Sequence, residues 1–249
     1  MASGIDHVVI AVTDPDEAAA ELTETVGLAF TAGALHAGLG TFNRIAFLGD
    51  AYLELMGVDD PAAAAGWPIG AAVVRALELG GGFATCGLVD DAIRVTVARL
   101  QANDSRIGPV VRGSRERPDG ERVEWWTASP AELGPDQPPF LIKHLAAGAE
   151  WGSDALAARR AFVHPAGSQA RLIGVQLAVP DPVWLAAECF AQLGLEFQAL
   201  GPAAIATAGG QRIRLVPTAA DPAATVTLRI GSGATRSVNA LGLEFVLAP

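Results

Sequence analysis

The chain repeats itself, and this limits the folds open to it more than any single motif does. The opening stretch IDHVVIAVTDPDEAAAELTETVGLAF, moved along by 167 residues, falls on IGVQLAVPDPVWLAAECFAQLGLEF. Asp14-Pro15 then matches Asp181-Pro182, Ala19 and Ala20 match Ala186 and Ala187, and Gly27-Leu28 with Phe30 matches Gly194-Leu195 with Phe197. Both copies read as one physical unit. An apolar strand stops at an Asp able to cap a helix, Pro takes the first helical position, and Gly closes the helix about 12 residues later. Further strands follow, TFNRIAFLGD and AYLELMGV in the first copy and AAIATAGG and QRIRLVPT in the second, joined by Gly-Asp and Gly-Gly turns. Each unit is therefore βαβββ.

A third, weaker unit lies between them: strand ATCGLV, helix DDAIRVTVARLQAND, then SRIGPVVRGSRERP, ERVEWWTASP and PPFLIKHL. The expected modules cover 4–58, 83–145 and 171–218. Residues 59–82 read as a connecting helix ended by glycines, 146–170 as a second linker, and 224–248 as a tail with two strands, TVTLRI and LGLEFVLA. The fold class is α+β. The repeated βαβββ modules form curved mixed sheets with helices on the outer face and a concave pocket. Residues 1–160 form one domain of two modules, and 161–249 hold the third module with extra strands.

Composition excludes several classes of function. A net charge of −10 argues against a nucleic-acid surface, which needs Lys and Arg against phosphates. No apolar run reaches membrane length, and MASGIDHVVI lacks the basic and apolar regions of a secretory signal, so a cytoplasmic location is expected. Cys86 and Cys189 have no metal-binding or disulfide spacing and read as buried thiols. Of 17 basic residues, Lys143 is the single Lys.

Strand alternation sorts the candidates by face. Tyr52, Glu54 and Met56 point one way and Leu53 and Leu55 the other. His7, Val9 and Ala11 oppose Val8 and Ile10. With the leucines on the helices, Glu54 enters the concavity, where a carboxylate among apolar neighbours needs a cation, a metal or water.

The strand DHVVIAV with His7, the run H-x-G-x-G-T-x-N-R from His36, then LGDAYLEL with Glu54, RPDG and PPFLIKH together resemble the glyoxalase-like domain family. That family lies within the vicinal-oxygen-chelate (glyoxalase, bleomycin-resistance and dioxygenase) superfamily, and the match spans about 4–180. The resemblance implies a divalent metal (Zn, Mn, Fe or Ni) held by His7 and Glu54, with two further ligands from the paired module and substrate oxygens completing the shell. The paired module departs from that pattern. Lys143 stands near its last-strand ligand position, and Ala84, Thr85 and Cys86 near the first-strand one. The third module has Gly174 and Arg214 there. The alternative is a metal-free pocket in which Lys143 faces Glu54 as an ion pair or an acid–base couple.

Other residues have plainer readings. His36 and Asn43 lie at a glycine-bearing loop and the strand after it, where they line a pocket or tie the loop together. Asn43 and Arg44 cannot both point inward. Of Trp125 and Trp126, one faces the cleft and one the helices; Tyr52 faces the cleft. His144 should oppose Lys143 as a structural residue, and His164 belongs to the linker. Two functions stay open: a metal-assisted lyase, isomerase or dioxygenase acting on an oxygenated metabolite, or a metal-free binding and sequestering protein of bleomycin-resistance type without turnover. Either takes a small-molecule ligand, with no nucleic-acid or membrane partner. An odd module count favours a homodimer, the third unit pairing across a two-fold axis.

Overall fold

The computed structural model describes residues 2–31, 33–117, 119–218, 224–231 and 233–249. The first module is β1 (Gly4–Ala11), α1 (Pro15–Thr25), β2 (Ala34–His36), β3 (Thr41–Leu48) and β4 (Ala51–Val58). The second is β5 (Gly82–Val89), α4 (Ile93–Gln101), β6 (Val111–Glu116), β7 (Arg122–Ala128) and β8 (Phe140–His144). The helix starts follow from the residues at them. Asp14 accepts from the N–H groups of Asp16 and Glu17 at 2.8 and 3.2 Å, and Asp181 does the same for Val183 and Trp184 at 3.0 and 2.9 Å. Such a cap is worth about 1 kcal/mol. Gly194, at φ 68°, ends the later helix in the left-handed conformation that glycine adopts without steric penalty.

The two modules share one eight-stranded sheet in the order β2-β3-β4-β1-β5-β8-β7-β6. Within each module the first and last strands run parallel, and β1 meets β5 antiparallel at the centre. A second sheet repeats the plan. It holds β9 (Ala170–Val179), β10 (Gln198–Leu200), β11 (Ala203–Ala208), β12 (Gln211–Pro217), β13 (Ala224–Ile230), β14 (Arg236–Ala240) and β15 (Leu243–Ala248). Its order is β10-β11-β12-β9-β13-β15-β14.

The tail is more than two added strands. β13 runs antiparallel to β9 and parallel to β15, and β15 pairs antiparallel with β14, as β5, β8 and β7 do in the first sheet. It is a fourth module without its helix and one strand. The third module therefore has its partner inside the chain, and the odd module count no longer argues for a dimer two-fold.

Helices α1, α4 and α7 (Pro182–Leu193) lie on the convex faces, and one apolar core joins both sheets. Val8, Ile10, Leu53 and Leu55 of the first sheet belong to it together with Leu22 and Leu185 of the helices and Leu177, Val226 and Phe245 of the second sheet. Each such side chain, fully buried, contributes about 1.5–3 kcal/mol. Polar ties reinforce the join. Gln211 Oε1 accepts from the Ile5 N–H at 2.6 Å, and Ser105 Oγ donates to the Gln192 carbonyl at 2.8 Å.

Both linkers fold onto the concave face of the first sheet. Residues 59–82 form α2 (Pro61–Ala65) and α3 (Pro68–Glu78), whose Ile69, Ala72, Val73 and Ala76 pack on Val9, Ala11, Met56 and Ala84. The second linker forms α5 (Gly148–Trp151) and α6 (Ser153–Ala161), and Trp151 packs on Ile45, Tyr52 and Val123. The sheet is thereby a cup with a cover on either side. Among the described residues no helix is long and apolar enough to cross a membrane.

Candidate functional site

The centre of the cup is set by an irregularity in β1. In the pairing with β5, Ile5 lies opposite Leu88 and His7 opposite Gly87, so Asp6 is an unpaired bulge residue. A bulge interrupts strand alternation. Consecutive side chains Asp6 and His7 then turn to the same side, their Oδ1 and Nδ1 2.6 Å apart and both buried. Alternation alone would have sent Asp6 to the helices. The signal was present only as an acid inside an apolar strand, next to His7.

Around this pair the expected residues gather. His7 Nε2 lies 3.5 Å from Glu54 Oε2, and the His7 ring stacks on Tyr52 at 4.4 Å. Asn43 Nδ2 donates to Glu54 Oε1 at 2.6 Å and lies 3.2 Å from His36 Nε2. Its amide is oriented by the Ala34 N–H, which donates to Oδ1 at 3.1 Å. With Nε2 accepting from Asn43, His36 carries its proton on Nδ1 and donates to Thr41 Oγ1 at 2.8 Å. Burial pulls the His36 imidazole below its usual range, only partly offset by Glu54, in keeping with a neutral ring. Burial also lifts the Tyr52 phenol well above its usual value, with the carboxylates of Asp6 and Glu54 adding to the rise, so it stays protonated.

His144 belongs to the site and is not merely structural. Its Nε2 lies 3.1 Å from Asp6 Oδ1, and its ring stacks on Trp151 at 3.5 Å. Burial alone would raise the Asp6 carboxyl. The imidazoles of His144 and His7 outweigh it and hold Asp6 well below the usual carboxylate range. One carboxylate thus orients two imidazoles.

The enclosed space among these groups is about 50 Å³, walled also by Trp67, Trp125, Phe140, Arg115 and Glu150. That is room for a group of a few heavy atoms. Two glycines keep it open: a Cβ at Gly87 would stand 2.9 Å from His7 Cε1, and one at Gly113 would stand 2.3 Å from Trp125 Nε1. Trp125 faces the cleft, while Trp126 packs on the helix side under Arg94 at 4.0 Å.

Two expected site residues lie elsewhere. Lys143 does not face Glu54. Its ammonium donates to the Asp91 carbonyl on the helix side, because it alternates with the inward Ile142 and His144. Arg44 likewise leaves the cleft to Asn43 and pairs with Asp16 of α1 at 2.5 Å. His164 is a latch: Nε2 donates to the Phe47 carbonyl at 3.0 Å, and Nδ1 accepts from the Ala29 N–H at 3.1 Å. Cys86 and Cys189 are free, buried thiols, and burial pushes Cys86 up to about 12.

The bulges also test the expected metal set. Ala84 is unpaired in β5 as Asp6 is in β1, which makes Thr85 the counterpart of His7. Glu54 pairs with Val9, whose counterpart Gly87 pairs with Phe140. The paired module therefore offers Thr85 and Phe140. Phe140 cannot bind a metal, and Thr85, whose buried Oγ1 has no hydrogen-bond partner among the described residues, offers at most one neutral hydroxyl. Asn43 already engages Glu54 Oε1 and His36 Nε2. Among the described residues no cluster of three or more His, Cys, Asp or Glu side chains is arranged to hold a metal ion. His7 Nε2 and Glu54 Oε2 remain as two donors, and these residues do not make the four-ligand set.

The sequence model of a family described as "Glyoxalase-like domain" matches residues 5–194. No functionally curated protein matches the sequence. The fold is similar to that of a hypothetical protein from Staphylococcus aureus, with a TM-score of 0.81 and 14% identity over 99% of both chains. It is also similar to a mutant of 4-hydroxymandelate synthase from Streptomyces coelicolor, with a TM-score of 0.55 and 15% identity over 93% of this chain and 72% of that one.

Proposed function

The chain belongs to the glyoxalase-like domain family of the vicinal-oxygen-chelate superfamily, and on that premise we propose that it is an enzyme that moves protons on a small oxygenated metabolite, an isomerase- or lyase-type reaction using its own side chains. One observation carries this reading: Glu54 Oε2 and His7 Nε2 face each other at 3.5 Å inside a closed cup, with His7 Nδ1 held by Asp6 at 2.6 Å.

The roles follow from the hydrogen bonds. Asn43 occupies Oε1 of Glu54 and leaves Oε2 to act as base. Asp6 fixes the His7 ring, so that Nε2 presents its proton or lone pair to whatever meets Glu54. A substrate carbon next to a carbonyl loses its proton to Glu54, and the carbonyl oxygen gains the Nε2 proton of His7 in the form of the ring that is protonated on both nitrogens, Nδ1 keeping its own on Asp6. The product of the step is an enol, or an enediol where the carbon carries a hydroxyl; proton return to the other carbon of the enediol completes an isomerisation, and return to the same carbon is an exchange. The buried aromatic walls exclude water from the intermediate. No step is routed through a divalent metal.

The test uses the purified chain in D2O with pyruvate, 2-oxobutyrate and dihydroxyacetone, followed by proton NMR. Protein-dependent loss of signal from protons next to the carbonyl is expected for at least one compound. No exchange with any of them, alongside a rise in melting temperature with one, would instead favour a sequestering protein without turnover.

A further inference from the structure

The Glu54 cavity adjoins a second space of about 350 Å³, an antechamber, and Asn43, Ile45, Arg115 and Glu150 line both. Three guanidinium groups line the outer space, Arg115, Arg117 and Arg159, against two carboxylates, Glu150 and Asp119. Glu121, 3.7 Å from Arg117, brings the charges at this wall to balance.

Two of the three guanidiniums are engaged by side chains. Glu150 Oε2 accepts from Arg115 at 2.5 Å, and its Oε1 accepts from Arg117 at 3.0 Å. Arg117 also donates to Asp119 Oδ2 at 2.9 Å.

Arg159 differs. It sits on α6 at only 8% exposure, its guanidinium clasped between the rings of Phe47 and Trp151, each 4.2 Å away. Its Nη2 donates to the Glu150 carbonyl. Its Nε and Nη1 are buried and have no hydrogen-bond partner among the described residues. The two ring faces hold the cation from above and below but offer nothing to the N–H groups in its plane. A buried, charged donor left unmatched is costly, and a bound ligand is one source of the missing acceptor.

We infer that the ligand of this cup is a small carboxylate, its charged end docked on Arg159 in the antechamber and its carbonyl carbon reaching Glu54 and His7. The reacting end rests on the proton-transfer reading above, whereas the docking end stands on Arg159 alone. One guanidinium with two unmatched N–H positions suits a singly charged carboxylate better than a dianionic phosphate.

The experiment pairs pyruvate with pyruvamide, which has a neutral amide in place of the carboxylate, and adds acetate, 2-oxobutyrate and inorganic phosphate. Binding to the full chain is measured by titration calorimetry, and deuterium exchange is recorded on the same samples. Pyruvate or 2-oxobutyrate should bind more tightly than pyruvamide. Arg159→Met should weaken carboxylate binding by about tenfold or more, the worth of one charged hydrogen bond, and leave pyruvamide unchanged. Arg117→Gln, at the rim, keeps the test open should Arg159→Met not fold: it should weaken the carboxylates less, and added salt should weaken them further.

Three results would overturn the inference: equal binding of pyruvate and pyruvamide, no carboxylate bound at millimolar concentration, or phosphate bound through Arg159 in preference to every carboxylate. Exchange on pyruvate and pyruvamide alike, with no effect of Arg159, removes the carboxylate and keeps proton transfer. Arg159-dependent binding without exchange does the reverse.

Discussion

Asp6 and His7 are consecutive residues of one strand, yet both side chains enter the same cavity, with Oδ1 and Nδ1 2.6 Å apart. The bulge that allows this turns an ordinary strand into a carboxylate-oriented imidazole facing Glu54. Each part of the arrangement has a measurable consequence.

Asp6 is a positioning residue, so Asp6→Asn should lower the exchange rate by about 100-fold or more, because the imidazole loses the carboxylate that fixes its tautomer. The distinguishing readout is the His7 tautomer in nitrogen-15 NMR. In the wild type Nδ1 should stay protonated whether or not Nε2 also carries a proton, and in the variant the ring should lose that fixed assignment. An unchanged tautomer with slower exchange would mean that Asp6 acts through the fold alone.

Gly87→Ala places a methyl group 2.9 Å from His7 Cε1 and 3.0 Å from Phe140 Cζ. Overpacking of this kind costs about 1–3 kcal/mol. Denaturant unfolding should show that loss, and exchange activity should fall because the imidazole is pushed toward Glu54. Gly80→Ala, where a Cβ would meet no atom within 4 Å, controls for added bulk, though its φ of 100° carries a backbone cost of its own.

Two imidazoles, His36 and His164, are pulled below their usual range of 6.5, in each case first by burial. The unfolded chain therefore binds protons that the folded chain refuses, and stability is full above pH 6.5 and falls as the pH drops below it. Asp6, also depressed, acts in the same direction at lower pH, its contribution being full above the unfolded carboxylate value of about 3.9. Melting temperature should decline between pH 7 and 5, and His36→Gln with His164→Gln should flatten that decline. A melting curve indifferent to pH across this range would contradict the assignment of neutral buried rings.

Chelation should leave the activity in place. Thr85 and Phe140 stand where a paired module would supply ligands, so exchange activity should survive dialysis against a chelator, with metal content by mass spectrometry well below one equivalent. Activity lost on dialysis and regained with Zn, Mn, Fe or Ni would show that His7 and Glu54 recruit an ion despite the missing partners.

Much of this was legible in the chain itself. The 167-residue repeat appears as the same bulge in both sheets: Asp6 is unpaired in β1, and its repeat mate Ile173 is unpaired in β9, where Leu172 lies opposite Leu228 and Gly174 opposite Thr227. Alternation places His7, Glu54 and Tyr52 in the cup and allows only one of Asn43 and Arg44 there, and it holds wherever a strand is regular. It failed at Asp6 because a bulge leaves no mark in residue type. Lys143 was misplaced because the register of β5 with β8 brings Phe140 level with Glu54's position, and long-range register is not written in either strand. The covering role of the linkers was hidden too. Trp151 and Arg159 look like residues of an ordinary amphipathic helix until the cup beneath them is known.

The central claim is that Glu54 removes the proton. Glu54→Gln keeps the shape and the Asn43 contact region but has no basic oxygen, so pyruvate should bind within about twofold of the wild-type affinity while exchange falls by about 100-fold or more. Exchange in Glu54→Gln at the wild-type rate, with binding intact, would place the base elsewhere and contradict the account.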